Sequence, residues 1–170
     1  KKEVSAAAGR TGTPDIIIWS VMKQESKFRK NAVSRSGAQG LMQLMPSTAK
    51  DEMAALEILS LEITDPKKNI LIGASYFARL SRKFKEDLPR VIAAYNAGMM
   101  PVIRWNTLSA GDWVEWIEEI PYYETREFVR AVLQNREMYR MITGKNYDLP
   151  ISFLISDRPM PVEKLALVNR

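Results

Sequence analysis

The sequence predicts a mainly α-helical globular domain, and three observations lead to this fold class. The chain has 170 residues, the length of one ordinary domain, and 46% of them are hydrophobic, which is enough to form a core. Helix start and stop signals recur along its length, whereas alternating polar and apolar runs typical of strands are scarce. We find no internal repeat and no low-complexity segment.

The predicted helices begin at capping residues or prolines and end at glycines or breaks. After Asp65-Pro66, for example, Ile70, Ala74 and Phe77 share one apolar stripe. Residues 54–64 give no clear signal. In chain order, helices are expected over about 14–28, 38–45, from Pro46 onward, 66–85, from 87 or 88 to Gly98, 101–105, 112–118 and 122–143.

The first and last helix signals divide the chain into three parts. They predict a lead-in over residues 1–13, the functional domain over 14–143, and a C-terminal extension over 144–170, where Pro150, Pro159 and Pro161 indicate an extended tail. The start has no initiator Met and no apolar core, so it is not an intact signal peptide, and we expect a trimmed part of a longer chain. No run of 18 apolar residues predicts a membrane span.

The absence of Cys and His narrows the chemistry. It excludes Ser-His-Asp and Cys-His nucleophile systems and zinc sites with those ligands. A carboxylate with a shifted pKa is then the leading candidate for proton transfer. The net charge of +5 favours acidic partners in general and discriminates among none of them.

Glu25 is the carboxylate that the sequence singles out. It falls on the apolar stripe of the first predicted helix, with Ile18, Val21 and Met22 before it and Phe28 after it. It also falls in the last helical turn, where the helix dipole disfavours negative charge. Both effects are expected to raise its pKa and keep it protonated, as a general acid requires. The alternative is a Glu at the edge of the stripe that reaches into water.

Two downstream segments carry neutral groups suited to sugars. Ser34, Ser36 and Gln43 offer hydrogen bonds to hydroxyl and acetamido groups, and they accompany a turn bracketed by Gly37 and Gly40. Ordinary turn chemistry and a helix cap are the alternatives here.

The other segment is Ala93 to Gly98, where Tyr95 and Asn96 lie among small residues near a helix end. A tight helix contact with a C-cap is the alternative. Further on, Glu124 lies near two tyrosines and an Arg in the sequence. The alternative interpretation is a Glu in the first turn of a helix, where its charge complements the helix dipole.

Taken in order, these segments resemble the soluble lytic transglycosylase family, which is similar to goose-type lysozyme. The resemblance covers about residues 14–143. Glu25-Ser26-Lys27-Phe28 resembles ESxF, Ser36 to Gln43 resembles SGAxGLMQ, Met45 to Ala49 resembles MPxTA, Asn69-Ile70 with Gly73 and Tyr76 resembles NIxxGxxY, Ala94 to Gly98 is AYNAG, and Pro121 with Glu124-Thr125-Arg126 and Val129 resembles PxxETRxYV.

The chain also departs from the family pattern at three places. Met99-Met100-Pro101 follows AYNAG where a Gly- or Pro-rich turn is common, Phe128 replaces a Tyr, and residues 54–64 match nothing. These departures put subsite shape and glycan preference in doubt, but they touch no proton donor.

The resemblance implies a lysozyme-like helical fold with an open substrate groove. It implies cleavage of the bond between N-acetylmuramic acid and N-acetylglucosamine with formation of 1,6-anhydromuramoyl ends, a lyase reaction with Glu25 as the single acid/base. Among the other site residues, Ser34 and Gln43 would position the saccharide, Met45 would line the groove, Tyr95 would support the transition state or orient Glu25, Asn96 would hold the backbone or sugar, and Glu124 would organise the site.

The resemblance also sets expectations about partners. It implies peptidoglycan strands as substrate, no metal or cofactor, a periplasmic or cell-envelope location, and a monomer. We expect no nucleic-acid binding, because the sequence indicates an evenly spread charge and contains no nucleic-acid motif.

Three alternatives remain open from the sequence. A lysozyme-type muramidase would need a second carboxylate or a positioned water opposite Glu25. A non-catalytic peptidoglycan-binding module would have no need for that Glu. A basic nucleic-acid binder would show salt-dependent DNA binding.

Overall fold

The computed structural model describes residues 1–58, 62–105 and 112–144, and the helical prediction is confirmed there. Those residues form helices joined by turns, with two isolated β-bridges and no strand. In chain order the helices are α1 (Lys2–Thr11), α2 (Asp15–Ser26), α3 (Pro46–Ala55), α4 (Pro66–Lys83), α5 (Leu88–Ala97), α6 (Met99–Trp105), α7 (Trp113–Glu118) and α8 (Tyr123–Thr143).

Backbone contacts divide the chain into two compact units. Unit 1 contains Lys1–Arg79 and the end of α8 from Gln134. Unit 2 contains Leu80–Leu133. Helices α4 and α8 therefore each contribute residues to both units.

In unit 1, α1 packs against α2 and buries Val4 and Ala7. The sequence predicts a lead-in over residues 1–13, whereas most of them form this helix, which ends at Gly12 with a φ of 80°. Only two of its side chains are buried hydrophobics, so its apolar stripe is too narrow to stand out by periodicity. Thr13 Oγ1 fixes the connection to α2 by donating to Ala74 O at 2.8 Å.

The predicted helix over 38–45 is wrong. Residues 39–44 form a tight turn with antiparallel bridges from Gln39 to Val33 and to Leu44. Gly40 and Gln43 both adopt left-handed backbone, with φ of 81° and 46°. A right-handed helix admits neither value, so apolar spacing alone misassigns this segment.

In unit 2, α5 and α6 pack together, and Trp116 of α7 is fully buried. Trp116 Nε1 donates to Trp105 O at 3.2 Å, and the Arg90 guanidinium lies 4.6 Å from the Trp116 ring centroid. Arg90 also forms an ion pair with Asp87 at 2.5 Å. The buried charge is therefore paired at the point where α5 begins.

Most predicted helix boundaries are confirmed within a few residues. Asp65, Asp87 and Asp112 cap α4, α5 and α7 by accepting from backbone N–H groups of Lys68, Arg90 and Val114. Gly98 and Gly144 follow the ends of α5 and α8, and α6 begins two residues before Pro101. The extended tail predicted around Pro150, Pro159 and Pro161 lies outside the described residues.

Across the part of the chain that the structure describes, no helix combines the length and apolar character that a membrane crossing needs.

Candidate active site

Glu25 lies in the last turn of α2 and is half-buried. Val21 and Met22, one turn before it on the same face, are buried, as is the adjacent Ser26. The structure therefore places the carboxylate at the border between the core and the surface of unit 1. Both the apolar-stripe prediction and the edge-of-stripe alternative agree with a half-buried side chain.

The chain turns sharply after Glu25. Lys27 and Phe28 are consecutive non-glycine residues in left-handed backbone, with φ of 51° and 64°. Such residues cost about 1–2 kcal/mol each, so their surroundings must hold them in place. Arg29 does so by donating its backbone N–H and its Nε to Ser26 O at 3.1 and 3.2 Å. The Phe28 ring packs edge-on against a ring of α2, that of Trp19, at 5.9 Å.

Residues 32–44 form a compact double turn, which we call the glycine turn. In its first half, Gly40 N–H donates to Ala32 O and Ser34 N–H donates to Ala38 O, both at 2.9 Å. In its second half, Gln39 and Leu44 exchange two backbone hydrogen bonds of 3.0 Å. The segment is thus held by its own backbone, although it contains no regular element.

Two predicted site residues brace the glycine turn. Gln43 Nε2 donates to Ala32 O at 3.0 Å and to Gly40 O at 2.8 Å. Ser34 Oγ accepts from Ala38 N–H at 2.9 Å and lies 3.0 Å from Ser36 Oγ. Both polar side chains are held in fixed positions by the turn, and their roles toward a sugar stay predictions.

Asn69 of α4 ties the glycine turn to the helix. Its side chain is fully buried, Oδ1 accepts from Met42 N–H at 2.7 Å, and Nδ2 donates to Gln39 O at 3.0 Å and Ile63 O at 2.8 Å. One amide thus bonds to three backbone groups, of which Gln39 O also accepts from Leu44 N–H.

Two glycines make this seating possible. A Cβ on Gly40 would lie 2.3 Å from Asn69 Nδ2, and a Cβ on Gly73 would lie 2.5 Å from Met42 Sδ. The sequence shows Asn69 and Gly73 only as motif positions. The sequence alone does not reveal what these residues do, because their contacts join the glycine turn to residues of α4 that lie far away in the chain.

Met45 completes the predicted set in unit 1. It directly precedes α3, whose first residue is Pro46, and 40% of its surface is exposed. An exposed methionine at the end of a braced turn is available for contact with a ligand.

In unit 2, the end of α5 meets the start of α8. Asn96 Oδ1 accepts from Thr125 Oγ1 at 2.6 Å, and the Thr125 side chain is buried. The neighbouring Glu124 is exposed in the first turn of α8, and Tyr95 is buried within α5. Asn96 therefore contacts the residue that directly follows Glu124 in the chain, and Tyr95 is buried.

An arginine organises the aromatic residues of the same region. Arg126 donates from a guanidinium nitrogen to Glu118 O at 3.0 Å, and its guanidinium carbon lies 5.5 Å from the Tyr123 ring centroid. The neighbouring Tyr122 packs edge-on against the buried Trp105 at 4.9 Å. Tyr122 and Tyr123 are 50% and 69% exposed, so both rings offer surface to a ligand.

The seven predicted site residues divide between the units. Unit 1 carries Glu25, Ser34, Gln43 and Met45, and unit 2 carries Tyr95, Asn96 and Glu124. Within residues 1–58, 62–105 and 112–144, no cluster of three or more Asp or Glu side chains is arranged to hold a metal ion.

Comparison with known proteins points to one family. The family model described as the transglycosylase SLT domain matches residues 3–112. A soluble lytic murein transglycosylase of Escherichia coli K12 is 36% identical over 137 residues, which are 77% of this chain and 21% of that protein.

Two solved structures extend this similarity. An inactive Glu→Gln variant of the lytic transglycosylase Slt from Pseudomonas aeruginosa superposes with a TM-score of 0.81 at 31% identity, over 92% of this chain and 26% of that one. The 70-kDa soluble lytic transglycosylase in complex with bulgecin A gives a TM-score of 0.84 at 30% identity, with the same coverage.

This chain therefore spans about a fifth of the length of the curated relative and about a quarter of the solved chains. The family model nevertheless covers well over half of the chain, from α1 to the start of α7, and includes every predicted site residue of unit 1. The chain belongs to the transglycosylase SLT domain family.

Proposed function

We propose that this domain is a peptidoglycan lytic transglycosylase, which cleaves the β-1,4 bond between N-acetylmuramic acid and N-acetylglucosamine and leaves 1,6-anhydromuramoyl ends. Glu25 is its single acid/base. The observation that carries the proposal is the half-buried Glu25 at the end of α2 in a chain of the transglycosylase SLT domain family. The Glu→Gln variant of the Pseudomonas aeruginosa relative, described as inactive, supports a glutamate in this role.

The surroundings of Glu25 in the sequence favour a one-carboxylate mechanism. Residues 26–50 contain no Asp or Glu. The first buried carboxylate after them, Glu52, accepts hydrogen bonds from Ser75 Oγ at 2.8 Å and Arg79 Nε at 2.5 Å. Because Glu52 is held by these partners, it is a poor candidate for the second carboxylate of an ordinary glycosidase.

The proposed reaction begins with proton transfer from the Glu25 carboxyl to the glycosidic oxygen. The bond from that oxygen to the anomeric carbon breaks, and the N-acetylglucosamine part leaves with a 4-hydroxyl. The substrate's acetamido group stabilises the positive charge that develops at the anomeric carbon. No second protein carboxylate is then needed.

The second half returns the proton. The Glu25 carboxylate takes the proton of the muramoyl 6-hydroxyl while that oxygen bonds to the anomeric carbon. The product is the 1,6-anhydro ring, Glu25 is protonated again, and no water is consumed. The step is a lyase reaction by stoichiometry.

The remaining residues act by positioning the strand. In unit 1 the hydrogen bonds of the glycine turn hold Ser34 and Gln43, and the exposed Met45 offers an apolar contact surface. In unit 2 we assign Tyr95 to support of the transition state and Asn96 to holding the sugar or backbone. Glu124 is assigned to organising the site. The hydrogen bond from the adjacent Thr125 to Asn96 supports this, because it fixes the start of α8 against the end of α5.

Product mass tests the reaction. Purified sacculi are digested with this chain and with Glu25→Gln, and the soluble muropeptides are weighed. We expect anhydro-ended products, lighter by one water than hydrolysis products, from the unchanged chain and none from Glu25→Gln.

Other results would redirect the assignment. Reducing ends in place of anhydro ends would make the domain a muramidase. Sacculus binding without product release from either protein would indicate a binding module.

Bulgecin A offers a test that does not depend on turnover, because a relative has been solved in complex with it. Binding to the native state raises the free energy of unfolding by about 2.7 kcal/mol when the ligand is at a hundredfold its dissociation constant. We expect a higher melting temperature in its presence. An unchanged melting temperature would count against a site like that of the relative.

The substrate also implies where the protein acts. Peptidoglycan lies in the cell envelope, so we propose an exported domain that works there as a monomer on glycan strands. Detection of this chain in a periplasmic fraction, with a cytoplasmic marker absent from that fraction, tests the location.

A further inference from the structure

Residues near Glu25 in the sequence form one of the basic clusters of this chain. Residues 23–35 contain five basic side chains and one acidic one, Glu25 itself. The whole chain carries 25 Lys and Arg against 20 Asp and Glu, so the rest holds 20 basic and 19 acidic residues. The expectation of an evenly spread charge is therefore wrong. We call this cluster the basic belt: Lys23, Lys27, Arg29, Lys30 and Arg35.

All five basic-belt side chains are exposed. Among the residues the structure describes, none of them forms an ion pair. Three of the four arginines of α8 behave differently, since Arg130, Arg136 and Arg140 are each paired with a glutamate. The basic belt thus presents charge that the described part of the protein does not neutralise.

The belt has a definite place in unit 1. Lys23 lies one turn from the end of α2, and Lys27 ends that helix. Arg29 is anchored by its Nε at Ser26 O, and Arg35 lies within the glycine turn. In the chain, the charges flank Glu25 on both sides and extend along the segment that holds Ser34.

We propose that the basic belt binds the carboxylates of the short peptides and lactyl groups carried by muramoyl sugars. This inference rests on the proposed function, because it concerns the substrate of that same site. The N-acetylated sugar rings themselves carry no charge. Each muramoyl unit carries a lactyl carboxylate where no peptide is attached, or the carboxylates of the peptide that is amide-linked there, so negative charge repeats at every muramoyl unit. A cluster of exposed cations attracts such a polymer over about 10 Å at ordinary ionic strength.

The consequence is a preference for carboxylate-bearing strands over neutral ones. Exposed Lys and Arg side chains raise the association rate and the affinity more than they raise the rate of the chemical step. The belt is therefore expected to lower the dissociation constant and KM and to leave kcat nearly unchanged.

A matched pair of triple variants tests the proposal. The belt variant is Lys23→Gln, Lys30→Gln and Arg35→Gln, which leaves the helix end at Lys27 and the Arg29 contact intact. The control variant, with the same change in net charge, replaces exposed lysines that lie far apart in the sequence: Lys2→Gln, Lys50→Gln and Lys67→Gln.

The measurement is binding to sacculi, with Glu25→Gln present in every protein so that strands are not consumed. One batch of sacculi is native, and in the other the carboxylates are converted to neutral methylamides with carbodiimide and methylamine. At low salt we expect the belt variant to bind native sacculi about tenfold more weakly, because three exposed charge contacts are lost, while the control changes less than about twofold.

The neutral sacculi complete the test. The chain with an intact belt should bind them about tenfold more weakly than native sacculi, and the belt variant should bind them no worse, because no carboxylates are left to contact. A charge-preserving variant with Lys23→Arg, Lys30→Arg and Arg35→Lys should restore binding to native sacculi. Such a result would show that the charge of these side chains carries the contact, while undiminished binding of the belt variant to neutral sacculi would show that this variant is folded.

Several results would overturn the inference. Equal losses in the belt and control variants would show that net charge alone matters, and equal binding to native and neutral sacculi would remove the carboxylates as ligands. If the belt variant lost binding only to phosphatidylglycerol vesicles and kept its affinity for sacculi, the partner would be an anionic membrane surface.

Product analysis keeps this inference separate from the proposed function. If the chain with Glu25 releases anhydro ends but the two batches of sacculi bind equally, only the belt inference fails. If no anhydro ends form yet native sacculi bind more tightly through the belt, the belt inference holds and the proposed activity fails.

Discussion

Gly40 is the residue where backbone conformation and packing restrict the sequence most. Its φ of 81° lies in the left-handed region, and a Cβ there would lie 2.3 Å from Asn69 Nδ2. Gly37 has a similar φ of 90°, but a Cβ at that position would have no neighbouring atom within 4 Å. A substitution at Gly37 would therefore cause backbone strain alone, whereas a substitution at Gly40 would add a steric clash.

We expect Gly37→Ala to lower the free energy of unfolding by about 1 kcal/mol, the cost of left-handed backbone in a residue with a side chain. Gly40→Ala adds a clash with a buried amide, and its loss should be about 3 kcal/mol or more. Urea unfolding of both variants measures the difference. Equal losses would show that Asn69 can move aside.

At the residue scale, sequence reasoning located Glu25 but not the contacts of Gln43 and Ser34. The position of Glu25 on a helix face follows from spacing along one element, which local periodicity reveals. The hydrogen bonds of Gln43 depend on a turn whose left-handed residues leave no periodic trace. Ser34 stands out in the sequence as a polar candidate, while its bond to Ala38 N–H is visible only in the structure.

At the element scale, α4 serves as the support for the glycine turn. Asn69 satisfies Met42 N–H, Gln39 O and Ile63 O together, and all three contacts are 3.0 Å or shorter. Loss of this amide leaves buried backbone groups without partners, which costs more than an ordinary hydrogen bond contributes.

Asn69→Ala should therefore lower the free energy of unfolding by about 3 kcal/mol. Replacing a partly exposed asparagine by alanine should lower it by less than about 1 kcal/mol. Asn135→Ala is the matched control, because Asn135 is only half-buried and its bond to Ser20 O is long, at 3.5 Å. Both variants are compared by chemical denaturation. A similar decrease in the free energy of unfolding for both variants would mean that the glycine turn does not depend on its hydrogen bonds to Asn69 of α4.

A second tie between elements joins α5 to α8. Thr125→Val keeps the shape of a buried side chain but removes the hydroxyl that donates to Asn96 Oδ1 at 2.6 Å. We expect a loss of about 1 kcal/mol in the free energy of unfolding, with a fall in activity toward sacculi if Asn96 is a positioning residue.

Thr143→Val provides the comparison for Thr125→Val. Thr143 is exposed, and its hydroxyl donates to carbonyls within its own helix, at Tyr139 and Arg140. This change should leave stability within about 0.5 kcal/mol and activity unchanged. An equal effect of the two substitutions would argue against the Asn96 contact as the cause.

At the scale of the whole molecule, the fold class and most helix boundaries were predictable, because aspartate caps and terminal glycines act locally. The helix over 2–11 was not, since it buries only Val4 and Ala7 as hydrophobic side chains. The supposed helix over 38–45 failed because Asn69 lies far away in the chain and yet fixes that turn. Local signals define elements here, and tertiary contacts define the loops between them.

The distribution of charge over the molecule makes a prediction that is independent of catalysis. The belt and control triple variants both lower the net charge from +5 to +2, so they differ only in which lysines and arginines are lost. Retention on a cation exchanger depends on local clusters of exposed charge as well as on net charge. The belt variant removes three cations from one cluster, whereas the control removes three cations that lie far apart in the sequence.

We therefore expect the belt variant to elute from a cation exchanger at lower salt than the control variant, and both to elute before the unchanged chain. Identical elution of the two variants would show that the exposed charges of residues 23–35 do not act as one surface. Because the column carries no sugar and no peptide, the order of elution reports the charge cluster alone. Sacculus binding then measures what the murein carboxylates add to it.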